Sequence, residues 1–229
     1  MSAHMTVMEA VMTLYTKEVA TPDRVLAAVR RFSHNSTISE EPPDHESALV
    51  MWINEAVKAL RQRICQEVGQ GDQNRIPDIP AITDVLELCD GIGLAALVSF
   101  YCPDDLPWRK ILVNKVPTIS DCVRNLLLVH DFCQQSLPYS IFHMMPEDVS
   151  YLRGSMRSNL IVFLADLFNV LEIHPAKCVR FDHAASSLTE GSVSSPVFTK
   201  KSNTSQEIQM MIGGILRSLL FIGVALSQL

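Results

Sequence analysis

The chain has 229 residues, and 48% of them are hydrophobic, which is enough to bury a sizeable core and excludes a wholly disordered protein. Its 19 lysines and arginines face 25 acidic residues, so the net charge of −6 gives no indication of nucleic-acid binding. Six scattered cysteines without a C-x-x-C motif predict free thiols and therefore a cytosolic protein. No basic, apolar leader opens the sequence, so no signal peptide is predicted.

Residues 1–46 are predicted to form an N-terminal helical extension and an acidic linker. Apolar residues recur at helical spacing between Met8 and Tyr15. Thr21-Pro22-Asp23 is typical of a helix start, because it supplies a cap, a preset first residue and an acid in the first turn. The polar, proline-containing stretch SHNSTISEEPPDHES then predicts a loop.

The segment 47–184 is predicted to be the folded domain. It opens with apolar residues at a period near 3.6, which indicates an amphipathic helix. The buried face of this helix is predicted to contain Leu49, Ile53, Ala56, Leu60 and Ile64. The following stretch, GQGDQNRIPDIP, is rich in glycine and proline and predicts a long connection.

The stretch DGIGLAALVSFYCP, residues 90–103, predicts a buried helix of about three turns. Asp90 is the expected N-cap, and Pro103 ends the helix because it disfavours helical backbone at Cys102. The apolar stripe of this helix is predicted to contain Leu94, Leu97, Val98 and Tyr101.

The same stretch contains a G-x-G-x-x-A run from Gly91 to Ala96, which is the pattern of a dinucleotide-binding turn. That function requires a strand before the glycines and a βαβ unit around them. The preceding AITDVLELC is more typical of a short helix after Thr83, and no parallel strands follow. We therefore interpret Gly91 and Gly93 as residues that permit a tight turn and close packing, and no cofactor is predicted.

Two further helices complete the predicted domain. The first starts at the capping-box spacing Thr118 to Asp121 and is expected to end near Pro138, and the second covers about 155–173 and is apolar over most of its circumference. The apolar side of the first is predicted to contain Ile119, Cys122, Val123, Leu126, Leu127 and Cys133. No stretch in this domain shows sustained alternation, so the fold class is all-α.

The segment DGIGLAALVSFYCPDDLPWRKI resembles the central helix of a calponin-homology domain, and in particular that of the CAMSAP/Patronin family of calmodulin-regulated spectrin-associated proteins. MSAHMTVMEAVMTLYTKE, ALVMWINEAVKAL, ISDCVRNLLLVHDFC and SNLIVFLADLF resemble consecutive pieces of the same N-terminal region. The resemblance covers about residues 1–184. It implies a calponin-homology-like bundle of four principal helices with long connections, preceded by short N-terminal helices.

The resemblance implies a non-catalytic, cytoplasmic, cytoskeletal interaction module. Microtubules, spectrin and calmodulin are the partners that the family implies, but its microtubule minus-end contact is assigned to a C-terminal CKK domain. No CKK, coiled-coil, spectrin-binding or calmodulin-binding segment fits in this sequence, so a fragment, an isoform or an incomplete gene model is expected. Residues 48–184 contain 12 basic and 16 acidic residues, which disfavours strong binding to the acidic microtubule and actin filaments. A different protein is therefore favoured as the partner.

The predicted partner-binding residues lie in the loop after the central helix: Trp108, Arg109, Lys110 and Lys115. Aromatic and arginine side chains together are typical of binding hot spots. The alternative is that Trp108 packs under the loop as part of the core, since tryptophans are usually largely buried. Trp52 is predicted to be a core residue.

No catalytic or metal-binding residues are predicted. His130 and Cys133 are neighbours on one helix, but His130 shares the apolar face of Ile119 and is interpreted as a hydrogen-bonded core histidine. Asp104 and Asp105 follow a proline in a turn, which favours a solvated or capping role. The remaining candidate metal ligands, His143, His174 and His183, are widely spaced and lack a paired cysteine or carboxylate signature.

The tail is predicted to consist of a polar linker, 185–207, and an apolar helix, 208–229. The helix is long enough to cross a bilayer, but Arg217 near its middle would cost about 2.5–3.5 kcal/mol on insertion. An amphipathic helix that docks on the bundle or on another chain is equally consistent, and a tail with no selected role is a further alternative. The alternative function is therefore a membrane-surface or tail-anchored adaptor.

Overall fold

The computed structural model describes residues 3–33, 41–69 and 76–180, with side chains from residue 6 onward. Glu9–Arg180 form one compact unit, and a second comprises Met1–Met8 and Phe181–Leu229, of which only residues 3–8 lie in the described ranges. The α-helices of the described ranges are α1 (Ala3–Val19), α2 (Pro22–Phe32), α3 (His45–Val68), α4 (Ile92–Tyr101), α5 (Ile119–Gln135), α6 (Pro146–Leu152) and α7 (Arg157–Phe168). No strand occurs in these ranges, and the predicted all-α class is confirmed.

The helix starts follow local sequence signals. Thr21 caps α2, with its hydroxyl accepting from the backbone N–H of Arg24, and Pro22 occupies the first helical position as predicted. Thr118 and Asp121 form the predicted capping box at the start of α5. These polar side chains satisfy backbone donors that have no partner within the helix, so each helix begins where its cap lies.

The predicted face of α3 is buried in full. Leu49, Ile53, Ala56, Leu60 and Ile64 are each at most 1% exposed, and Trp52 is completely buried, as expected for a core residue. Both neighbouring helices, α2 and α4, pack against α3. The 3.6-residue period therefore identified the face that the bundle covers.

Helix α4 is the centre of the bundle, because all ten of its residues are buried. It packs between α3 and α5. Pro103 follows Cys102, whose backbone has left the helical region, so the helix ends as predicted. A helix that is apolar on every side has to be enclosed by others, and this one is.

Gly91 and Gly93 have the packing roles that were predicted. Gly91 joins a 3₁₀ helix, Val85–Asp90, to α4 with a φ of +74°, and a Cβ there would lie 2.7 Å from the backbone nitrogen of Leu126. A Cβ on Gly93 would lie 2.7 Å from a methyl group of Leu88. A 3₁₀ helix precedes the glycines where a dinucleotide-binding turn would need a strand.

Asp90 is not the N-cap of α4, contrary to the prediction, because Gly91 occupies that position. The carboxylate of Asp90 lies one residue earlier and accepts from the backbone N–H of Ile92 at 2.8 Å. It still satisfies a first-turn donor, but from outside the helix, because the left-handed backbone of Gly91 redirects the chain at that point.

A buried hydrogen-bonded network connects four parts of the bundle. The indole of Trp52 in α3 donates to the hydroxyl of Tyr101 at the end of α4, at 2.8 Å. That hydroxyl donates to the carboxylate of Glu172, in the π-helical turn Asn169–Ile173 after α7. Arg31 of α2 forms an ion pair with the same carboxylate. Burial raises the pKa of Tyr101, which therefore stays protonated and able to donate.

Helix α5 begins as predicted, but its apolar side was placed wrongly in part. Ile119 is 48% exposed and Leu127 is 40% exposed. Leu127 lies about 100° around the helix from the buried Leu126 and so faces away from the core, whereas Ile119 is exposed because it is the first residue of the helix. Leu126 and Cys133 are buried as predicted, Cys122 and Val123 are half-buried, and the buried side also contains Asn125, Val129 and Phe132. The helix ends at Gln135, three residues before Pro138.

The C-terminal part of the bundle is more segmented than the single predicted helix over 155–173. A 3₁₀ turn, Arg153–Met156, leads into α7, and the π-helical turn continues from its end. The short helix α6 was not predicted. Residues Leu160 and Phe163 to Phe168 of α7 are buried, so the prediction that this helix lies in the interior is confirmed.

We expect Gly91→Ala to lower the free energy of unfolding by more than about 2 kcal/mol, because the added methyl group meets backbone and the left-handed conformation disfavours alanine. Urea unfolding followed by circular dichroism measures the change. Gly154→Ala is the matched control, since a Cβ there meets nothing within 4 Å and the backbone φ is not positive. Equal stability of the two variants would contradict the close approach at Gly91.

We expect Tyr101→Phe to destabilise the protein by about 1–3 kcal/mol, because it leaves the Trp52 N–H and a Glu172 oxygen buried with one bond fewer. The control is Tyr151→Phe, which also removes a tyrosine hydroxyl. Because Tyr151 is 64% exposed, this change should leave the stability nearly unchanged. Urea midpoints of both variants, measured side by side, check the prediction. A neutral Tyr101→Phe would show that the network contributes nothing.

Candidate partner-binding surface

The loop between α4 and α5 is held in place from beneath. Leu106 and Ile111 are buried in the core, on either side of a 3₁₀ turn at Trp108–Lys110. The side-chain amide of Asn125 accepts from the backbone N–H of Leu112 and donates to its carbonyl, each at 2.9 Å. The loop is therefore fixed at several points, and its outward side chains project from a defined backbone.

Trp108 and Arg109 share one carboxylate at the end of α3. The indole N–H of Trp108 donates to Glu67 at 3.0 Å, and the guanidinium of Arg109 donates to the other oxygen at 2.7 Å. The guanidinium carbon also lies 4.6 Å from the centre of the Trp108 ring. Hydrogen bonds from Arg109 and Trp108 lower the pKa of Glu67. These contacts connect the loop to α3.

The sequence left open whether Trp108 is a surface residue or part of the core, and its side chain is partly both. Its ring is half-buried and packs against the edge of the core, yet its indole nitrogen reaches the surface carboxylate of Glu67. Part of the ring is therefore structural and part is accessible to a partner. Sequence reasoning did not identify Glu67, because nothing in the pattern of α3 marks which of its polar residues meets a loop 41 residues later.

Lys110 and Lys115 are exposed. Lys110 follows the Trp108–Arg109 pair directly, whereas Lys115 lies farther along the loop, near the start of α5. Because Glu67 compensates the charge of Arg109, these two lysines carry most of the positive charge that the loop presents. The four predicted residues thus form a contacting pair and two exposed cations.

Two exposed apolar residues extend this region, and the sequence analysis did not assign them to it. Val116 is 84% exposed, and Ile119, at the first position of α5, is 48% exposed. We call these residues, together with the four predicted ones, the 108–119 surface. The loop thus displays exposed apolar side chains, cations and a half-buried aromatic ring, and side chains of these kinds occur together at protein interfaces.

The residues considered for catalysis make other contacts. His130 donates through Nδ1 to Asp131 at 3.1 Å, accepts at Nε2 from Gln134 at 2.8 Å, and packs edge-on against Phe142. The predicted hydrogen bonding is confirmed, but the side chain is 27% exposed and lies at the edge of the core. Cys133 is fully buried, and burial raises its pKa, which suppresses the thiolate.

The paired aspartates have structural contacts. Asp104 forms an ion pair with Arg180 at 2.9 Å, and Asp105 accepts from the hydroxyl of Ser136 at 2.5 Å. Within residues 3–33, 41–69 and 76–180 no cluster of three or more potential metal ligands occurs. His143 and His174 are exposed, and His183 lies outside the described residues.

The membrane alternative depends on residues that the structure does not describe. In the part of the chain that is described, no helix combines the length and apolarity needed to cross a bilayer. The apolar segment 208–229 and the linker 185–207 lie outside that part. The six cysteines all lie within it, and each of them is free.

The sequence of this bundle matches that of known proteins. The bundle around α4 is a calponin-homology domain, since residues 70–153 match the family model described as the CAMSAP CH domain. Patronin of Drosophila melanogaster is 50% identical over 186 residues, which cover 79% of this chain and 11% of that protein. No solved structure shows a significant match. The chain belongs to the CAMSAP/Patronin family.

Two further relatives support this assignment. The Patronin (microtubule-binding protein) homolog of Caenorhabditis elegans is 37% identical over 169 residues, 73% of this chain and 15% of that protein. Calmodulin-regulated spectrin-associated protein 1 of Xenopus laevis is 32% identical over 188 residues, 73% of this chain and 12% of that protein. The chain therefore spans only 11–15% of the length of these three relatives.

We expect Glu67→Gln to lower the free energy of unfolding by less than about 1 kcal/mol at pH 7, because the carboxylate is partly exposed and solvent screens the pair. Because the pKa of Glu67 is lowered in the folded state, the carboxylate stabilises the fold at pH values above its ordinary pKa of 4.5. This contribution is lost as the pH falls through the pKa of the folded state. The difference between wild type and variant should therefore shrink towards pH 3.

Urea unfolding of both proteins at several pH values measures this difference. Glu41→Gln serves as the control, since Glu41 is an exposed carboxylate in the segment before α3. A difference at Glu67 that stays constant down to pH 3, or that equals the effect at Glu41, would show that the ionised carboxylate gains no stability from Trp108 and Arg109.

Proposed function

We propose that this chain acts as a non-catalytic, cytoskeletal protein-interaction module that binds its partner through the 108–119 surface. The membership in the CAMSAP/Patronin family supports the cytoskeletal role. The observation that carries the choice of surface is the fixed loop, which presents two exposed lysines, the exposed Val116 and a half-buried tryptophan. Binding, rather than a reaction, is what this arrangement offers chemically.

The names of the relatives suggest which partners to test. One relative is named as a microtubule-binding protein, and others are named as calmodulin-regulated and spectrin-associated. We propose microtubules, spectrin and calmodulin as the candidate partners of this chain, and a cytoplasmic, cytoskeletal location. Each of these proposals extends to a short chain what the names attribute to much longer proteins.

Electrostatics limits how strongly the module would bind an acidic filament. The chain carries a net charge of −6, so a long-range repulsion opposes approach to tubulin or actin. The loop is locally basic, since Arg109, Lys110 and Lys115 occur between Leu106 and Thr118 without an acidic residue. We therefore propose weak, salt-sensitive contact with an acidic surface, oriented by the loop and supported by apolar contact at Val116.

Co-sedimentation of the 229-residue chain with microtubules, and separately with actin filaments, tests the proposal at low and at physiological salt. We expect partial pelleting with microtubules at low salt, and a decrease as salt rises because screening weakens the contact. The double variant Lys110→Ala/Lys115→Ala should lower the pelleted fraction several-fold. Capture on immobilised spectrin and calmodulin completes the set of partners.

The matched control is Lys17→Ala/Lys58→Ala, which removes the same charge from exposed positions in α1 and α3. If both double variants lose binding equally, net charge and not the loop determines it. If the wild-type chain binds neither filament, spectrin nor calmodulin, the cytoskeletal proposal fails. Normal binding by Trp108→Ala together with Lys110→Ala/Lys115→Ala would remove the 108–119 surface from consideration.

A further inference from the structure

Two cysteines far apart in the sequence lie side by side in the bundle. Cys102 follows the last residue of α4 and is fully buried, and Cys178 lies in the segment after the π-helical turn and is half-buried. The two thiols lie close enough that each shifts the pKa of the other. No disulfide joins them in this structure, and both are free.

The backbone on both sides of Cys178 holds this pair together. The backbone N–H of Arg180 donates to the carbonyl of Tyr101 at 2.7 Å, and the guanidinium of Arg180 pairs with Asp104 at 2.9 Å. On the other side, the N–H of Ala176 donates to the carbonyl of Val170 at 2.9 Å. Contacts therefore fix the segment before and after Cys178, and the thiols meet because the fold brings them together.

The two thiols differ in accessibility, since Cys178 is half-buried and Cys102 is fully buried, so an oxidant reaches Cys178 first. Interaction with Cys102 lowers the pKa of Cys178, whereas the same interaction and burial raise the pKa of Cys102. Burial also raises the pKa of Cys89, Cys122 and Cys133. Cys178 thus combines partial exposure with a stabilised thiolate, which is the form that reacts with oxidants.

We propose that Cys102 and Cys178 form a redox-sensitive dithiol, which a peroxide converts into an intramolecular disulfide. In the first step the Cys178 thiolate attacks one peroxide oxygen, the O–O bond breaks, and a sulfenic acid and hydroxide form. In the second step the sulfur of Cys102 attacks the Cys178 sulfur. The S–O bond breaks, the Cys102 proton and the departing hydroxyl leave as water, and the S–S bond is complete.

The disulfide would change how the segment after α7 is attached to the central helix. In the reduced protein that attachment consists of hydrogen bonds and the exposed ion pair between Asp104 and Arg180. The disulfide would close a long loop of chain between Cys102 and Cys178. This crosslink lowers the conformational entropy of the unfolded state. Oxidation should therefore make the bundle more resistant to unfolding, and reduction should reverse the effect.

The test uses the full chain, treated with a small molar excess of hydrogen peroxide and then alkylated. Trypsin releases Cys178 in the short peptide CVR and Cys102 in the peptide 76–109, so mass spectrometry detects their crosslink directly, and fragmentation separates Cys102 from Cys89. We expect this crosslink to be the main oxidation product. The thermal midpoint should rise by roughly 5–10 °C and return to its starting value with dithiothreitol.

Two variants separate the roles of the thiols. In Cys102→Ala, the sulfenic acid of Cys178 has no resolving partner and should be captured by dimedone, whereas Cys178→Ser should form neither product. Cys65→Ser is the control, because Cys65 is exposed, and it should leave the crosslink unchanged. The proposal is wrong if peroxide modifies Cys65 before Cys178, or if Cys178 is oxidised to the sulfinic acid in the wild-type chain without pairing. The wild-type measurement stands even if Cys102→Ala does not fold.

Discussion

The buried carboxylate of Glu172 is the constraint on which the arrangement of the bundle depends. A charge removed from water is tolerated only if partners surround it, and here the partners come from separate helices: Arg31 from α2 and the hydroxyl of Tyr101 from α4. Trp52 of α3 then satisfies the tyrosine hydroxyl in turn. Apolar packing alone would permit these helices to slide or rotate by small amounts. The network permits one register, because any displacement leaves a buried polar group with fewer partners.

The position of the 108–119 surface follows from this register. Tyr101 ends the central helix, and the loop leaves from that fixed point, so the network determines where the loop starts. The contacts of Trp108 and Arg109 with Glu67 then determine where it crosses the end of α3. A surface built on a loop is usually mobile, but this loop is fastened at its beginning, at Leu112 and at the cap of α5. Its exposed lysines and Val116 are thus held over a rigid base.

Much of the fold could be predicted from the sequence, because several elements carry strong local signals. The five buried positions of α3 repeat at 3.6 residues, and Gly91 and Thr118 mark a tight turn and a cap. The errors have local causes as well. Helix α5 has more apolar residues than its neighbours can cover, so Ile119 and Leu127 were assigned to the core, and α6 has only seven residues, too few to show a period. Glu67 and the Cys102–Cys178 pair depend on contacts between distant parts of the chain, which no local pattern reveals.

The amide of Asn125 has a consequence for how this domain can vary. The side chain of Asn125 hydrogen-bonds both backbone groups of Leu112, as a neighbouring strand would in a sheet. These bonds go to the backbone of the loop and not to its outward side chains. The shape of the loop is therefore largely independent of what it displays. Lys110, Lys115 and Val116 can be exchanged for other residues while the backbone beneath them stays the same. A domain built in this way can acquire a new partner through surface substitutions alone, with its core unchanged.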